Sequence, residues 1–200
     1  RHMGMTRFKN DFYHKFLYKN ISFIHAVTKK VKEQVLHFIE KDFCPKVETI
    51  YLGTVEKKIP EENLFNLKKQ YNISDEFVIG IVGRIEEAKG QHLLIEAIAK
   101  LKNLSIKVIV IGHVMDNEYK NYLKELAKSA EIVEEIIYTG FTKDVNMHMK
   151  LCDCIVLATR EETFGLVIIE AMMNKSCIIA TNKGGPLEII EDHRDGLLFD

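Results

Sequence analysis

The spacing of apolar and polar positions changes character once along the 200 residues. In residues 7–19 (RFKNDFYHKFLYK), Phe8, Phe12, Phe16 and Leu17 recur on one helical face, and residues 21–27 (ISFIHAV) then read as a short strand. Thr28 is placed to cap a helix over residues 29–41, which Cys44-Pro45 ends, and residues 47–52 read as a second short strand. The polar stretch from there to Asp75 reads as connection or helix, with a boundary near Gly53.

Beyond that boundary the pattern becomes regular. Residues 77–82 (FVIGIV) are continuously apolar, as in a strand buried on both faces, and residues 90–101 have helical periodicity. Strands are predicted at 106–111, 136–138, 154–157 and 177–180, and helices at 116–130, 145–150 and 165–174, before a last turn, GGPLEII. Repeated strand-helix units imply an α/β protein with a doubly wound parallel sheet, whose ligands bind outside the carboxyl ends of the strands.

Composition narrows the function classes. Close to half of the chain, 46%, is hydrophobic, enough for one well-buried domain and part of a second. Lys and Arg, 28 together, nearly cancel 29 Asp and Glu, so no overall field favours nucleic acid. The cysteines Cys44, Cys152, Cys154 and Cys177 show no Cys-x-x-Cys pair and suit a reducing cytoplasm. Cys152 and Cys154 are expected on the same side of a strand. Two ligands cannot complete a metal site, so they read as core thiols. No apolar run reaches the roughly 20 residues of a membrane span. The basic aromatic segment 7–19 could lie peripherally on an anionic membrane, although its Phe stripe is better spent packing against protein.

The strand-end rule directs attention to two loops expected on one rim. The loop after residues 77–82 carries Gly83, Arg84, Lys89 and Gly90, whose two cations could clamp a diphosphate. The loop after residues 154–157 leads through Glu161, Glu162 and Thr163 into a helix start at Phe164, Gly165 and Leu166, where free amides would face an anion. Glu170, expected about two turns into that helix and roughly 10 Å from its start, could accept hydrogen bonds from ribose hydroxyls. Glu162 would face the group on the other side of the diphosphate. The ligand implied is a sugar on a nucleoside diphosphate.

Within ATREETFGLVIIEAMMNKSCIIATNKGGPLEII, Glu162 and Glu170 stand with seven residues between them. This segment resembles the C-terminal half of the family 4 retaining glycosyltransferases, which have the two-domain GT-B fold. Gly83-Arg84 with Lys89-Gly90 resembles that family's phosphate-clamp loop, and GGPLEII with DGLLF its closing segment. The resemblance implies a Rossmann-like C-terminal nucleotide-sugar-binding domain over residues 53–200, truncated at its C-terminus. Residues 5–52 would be the end of the N-terminal domain, and residues 1–4 read as a cloning scar. It further implies catalytic roles for Glu162, Arg84 and Lys89, diphosphate contacts from Arg84, Lys89 and the amides of Phe164, Gly165 and Leu166, and a ribose contact from Glu170. Glu162 would contact the transferred sugar, the base would lie near Phe141, and Gly83 and Thr163 would complete the nucleotide-sugar-binding set. Gly112-His113-Val114 and Ala158-Thr159 depart from the family's usual Gly-x-Gly and Pro-Ser.

No Asp-x-Asp motif is present, so the implied transfer, from a UDP- or GDP-linked donor, needs neither metal nor cofactor. The acceptor, a carbohydrate, lipid or other molecule, would be bound mainly by the N-terminal domain, leaving this fragment inactive alone. Two other readings remain: a nucleotide-sugar epimerase on the same fold, and a non-catalytic nucleotide-binding or partner domain. The paired glutamates favour the transferase. The lack of Gly-x-Gly-x-x-Gly after a strand disfavours a dinucleotide-dependent oxidoreductase.

Overall fold

The computed structural model describes residues 8–200; the expected cloning scar and Arg7, first residue of the expected leading helix, lie outside them. The leading helix, α1 (Phe12–Lys19), is shorter than its periodicity suggested, because Asp11 caps it by accepting from the His14 amide at 3.1 Å. Its aromatic stripe is left largely uncovered by the described residues: Phe12 is 89% exposed and Phe16 60%. Phe8, before the helix, meets the rings of His37 and Phe38 instead.

Next come β1 (Phe23–Ala26), α2 (Lys29–Phe38) and β2 (Lys46–Thr49), a right-sized crossover between two parallel strands. Thr28 caps α2 as expected, accepting from the Val31 amide at 3.2 Å. The helix ends at Phe38 rather than residue 41, because Ile39 turns extended and is 3% exposed beside Val31 and Val35. Residues 53–60 have no regular structure and lead into α3 (Glu61–Gln70).

The rest alternates: β3 (Phe77–Val82), α4 (Gln91–Ala99), β4 (Ile106–Ile111), α5 (Asn117–Ser129), β5 (Ile136–Gly140), α6 (Val145–Leu151), β6 (Cys154–Leu157), α7 (Leu166–Met173), β7 (Cys177–Thr181) and β8 (Leu197–Phe199). All six strands are parallel, in the order β5-β4-β3-β6-β7-β8. Alternate residues of β4 feed two cores: Val108 and Val110 pack with α4 and α5, while Ile109 and Ile111 pack with α6 and α7. Cys152 and Cys154 belong to opposite cores, not to one side of a strand, because Cys152 precedes β6 as the C-cap of α6. Both are buried thiols, as expected, and burial pushes them up to about 12 and about 11. Among the described residues no helix is long and apolar enough to cross a membrane.

The strand order reverses between β3 and β6. The chain builds outward from β3 through β4 to β5, then returns to the other side of β3 for β6, β7 and β8. The crevice at such a switch point lies between the loops leaving the two adjacent strands. Those are the two loops singled out from the sequence.

Candidate functional site

The loops after β3 and β6 press directly together. The Arg160 amide donates to the Ala88 carbonyl at 3.3 Å. Gly90, with φ of 70°, lies so near the other loop that a Cβ there would stand 2.1 Å from the Ala158 carbonyl oxygen, so only glycine fits. The first loop is also held from below, by Gln91 Nε2 donating to the Arg84 carbonyl at 2.8 Å and by the Ile85 amide donating to the His113 carbonyl at 2.8 Å.

On this scaffold Lys89 Nζ comes within 3.9 Å of Glu162 Oε2. Arg84 is more exposed, and its guanidinium pairs with Glu86 at 2.8 Å. Glu162 Oε1 accepts from the Thr163 amide at 3.1 Å, which turns the carboxylate back over the start of α7. Glu161 points away to the exposed side, 3.9 Å from Lys30.

Gly165 is the N-cap of α7, and no acceptor meets the amides of Phe164, Gly165 or Leu166 among the described residues. Free amides at a helix N-terminus suit an anion, and Lys89 reaches across from the facing loop. The Phe164 side chain faces the other way. It is 5% exposed, packed with Ala26, Val27 and Val35 and stacked on Tyr51 at 6.2 Å.

Two expected site residues stand apart from this group. Since α7 begins at Leu166, Glu170 lies one turn in rather than two, about 6 Å along the axis at 1.5 Å per residue. Its carboxylate opens on a cleft of about 340 Å³ shared with Lys57, Asn146 and Lys150. Burial raises its pKa, and Lys57 opposes the rise. Phe141, 71% exposed, projects from the loop after β5, next to Gly140. The loops after β3 and β6 thus carry Gly83, Arg84, Lys89, Glu162, Thr163, Gly165 and Leu166 to the β3/β6 crevice, whereas Glu170 lines a separate cleft and Phe141 follows β5.

Three supporting residues escaped sequence reasoning: Glu86, Gln91 and Glu188. Glu86 and Gln91 are local partners of Arg84. Glu188, on the GGPLEII turn, contacts α2 and Tyr51. A carboxylate three residues after a Gly-Gly turn was the only signal available for it.

Residues 65–200 match the family described as glycosyl transferases group 1. Among curated relatives, a glycosyltransferase of Methanocaldococcus jannaschii is 30% identical over 185 residues, 88% of this chain and 44% of its own length. The alpha-monoglucosyldiacylglycerol synthase of Streptococcus pneumoniae is 27% identical, over 88% of this chain and 42% of its own. Among solved structures, a glycosyltransferase from Rickettsia africae superposes with a TM-score of 0.84 at 27% identity, covering 98% of this chain and 54% of that one. Anabaena HepE in complex with UDP and glucose gives a TM-score of 0.82 at 24% identity, over 93% and 52%. The chain spans about half the length of the relatives it matches.

Proposed function

Because the chain belongs to the glycosyl transferases group 1 family and has the fold of the C-terminal half of a GT-B glycosyltransferase, we propose that it is the donor-binding half of a retaining, metal-independent enzyme. The donor is a nucleoside diphosphate sugar. The observation that carries this reading is the meeting of Lys89 with Glu162 beside the unpartnered amides at the start of α7. The UDP named with the HepE structure supports the same ligand class.

In the transfer, the bond between the anomeric carbon and the diphosphate breaks, and negative charge grows on the leaving phosphate. Arg84, Lys89 and the amides of residues 164–166 stabilise that charge with fixed donors. Glu162, beside Lys89, contacts the departing sugar. Glu170 accepts from ribose hydroxyls at the mouth of its cleft, and the base lies along the backbone near Phe141. The acceptor, a glycan or lipid, is taken by the part of the enzyme outside these residues, so this chain alone binds donor without turning it over.

Titration calorimetry of this chain in EDTA with UDP, GDP, UMP and GMP tests the reading. A diphosphate should bind at least about tenfold more tightly than its monophosphate, and Arg84→Ala should remove most of that margin, as expected for a charge-assisted contact of about 1.5 to 3 kcal/mol. Equal affinity for mono- and diphosphates would overturn it.

A further inference from the structure

Glu188 ties the turn at the site to a part of the chain far away in sequence. Its carboxylate accepts from the backbone amides of Lys29 at 2.8 Å and Lys30 at 3.0 Å, and from the Tyr51 hydroxyl at 3.0 Å. Lys29 and Lys30 open α2, where amides have no intrahelical acceptor and the helix dipole favours negative charge. One side chain from the far end of the chain therefore finishes the capping that Thr28 begins.

The backbone that carries Glu188 also underlies the site. The Gly185 amide donates to the Glu162 carbonyl at 2.8 Å, and a Cβ on Gly185 would stand 2.2 Å from the Phe164 carbonyl oxygen. Tyr51, the third group held by Glu188, stacks on the Phe164 ring at an interplanar angle of 30°. Phe164 is in turn buried among side chains of β1, α2 and β2. A closed circuit results: Glu188 holds α2 and Tyr51, these enclose Phe164, and the residues flanking Phe164 present Glu162 and the free amides.

We propose that Glu188 is a positioning residue, which fixes the turn at residues 162–166 against the segment at residues 23–52. The backbone part of this proposal stands by itself; its consequence for ligand binding rests on the nucleoside-diphosphate reading of the site. A carboxylate is required because two amides and a hydroxyl must be accepted together, which an amide side chain with one acceptor oxygen cannot match.

The test compares Glu188→Gln, Glu188→Asp and Tyr51→Phe with the wild-type chain, by NMR amide exchange and UDP titration well below the melting temperature. Glu188→Gln should speed exchange about tenfold at Lys29 and Lys30 and also at Gly185, shift the amide resonances of residues 164–166, and weaken UDP binding about tenfold. Glu188→Asp should recover part of each effect. Tyr51→Phe, which spares the carboxylate, should shift the same turn resonances by less, and it decides the matter if Glu188→Gln fails to fold. Faster exchange confined to Lys29 and Lys30, with Gly185 and residues 162–166 unmoved, would reduce Glu188 to a helix cap and overturn the proposal. A wild-type chain that does not bind UDP would overturn the nucleotide reading instead, and the exchange at Gly185 would still decide for or against Glu188.

Discussion

Lys89 Nζ lies 3.9 Å from Glu162 Oε2, with the two side chains only 27% and 21% exposed. The separation is that of an ion pair without a close hydrogen bond, so the lysine can turn toward an incoming anion at small cost. Glu162→Gln removes a negative charge beside the expected phosphates. In this chain it should leave UDP affinity unchanged or slightly higher, while in the complete enzyme it should cut turnover by roughly a hundredfold or more. Glu161→Gln should change neither, since Glu161 is exposed and lies 3.9 Å from Lys30. Calorimetry and steady-state kinetics check both, and a larger effect at Glu161 would show the functional acid to be misassigned.

Glu170 makes stability pH-dependent. Burial raises its carboxyl pKa in the folded chain, with Lys57 opposing, so the folded state binds the proton more tightly than the unfolded one. Its contribution is therefore complete below the unfolded value and lost as pH rises through the raised folded value. Glu170→Gln, which mimics the neutral form, should raise the melting temperature at about pH 7 and have much less effect at about pH 4. Fluorimetric melts across that range read the difference, and a constant offset would mean that Glu170 feels no burial.

Gly185→Ala should be among the most damaging single-methyl changes in the chain. The added Cβ would lie 2.2 Å from the Phe164 carbonyl oxygen and 2.4 Å from its Cα, both backbone atoms that cannot swing aside. A loss of about 3 kcal/mol or more is expected, the range of severe steric lesions in a packed interior. Urea denaturation measures it, and a loss under about 1 kcal/mol would show that the turn can shift away from the closing segment.

The cysteines should divide sharply toward alkylation. Cys152 and Cys154 are buried, and desolvation pushes their thiols up to about 12 and about 11, leaving almost no thiolate at neutral pH. Cys44 is half-buried and raised for the same reason, whereas Cys177 is exposed. Iodoacetamide followed by mass spectrometry should label Cys177 first in the native chain and reach Cys152 and Cys154 only on unfolding. Early labelling of either buried thiol would reveal local opening of a core.

The bounds of β3, β4 and β6 were readable to the residue, because each is an almost unbroken apolar run that opens directly after a polar residue, Glu76, Ser105 or Asp153. The Thr28 cap was readable too, since a cap acts within a few positions, and so was the placement on one rim of the two strand-end loops whose Lys89 and Glu162 meet. The depth of Glu170 in its helix, the opposite cores of Cys152 and Cys154, the end of α2 at Ile39 and the exposure of the α1 stripe were settled in three dimensions. Each depends on what an element packs against, and a periodicity does not record its partner. Glu188 shows this most clearly: its carboxylate reaches amides 159 and 158 positions away. Local spacing sets which residues share a face, but only the path of the folded backbone brings a charge and two distant helix amides within 3 Å of each other.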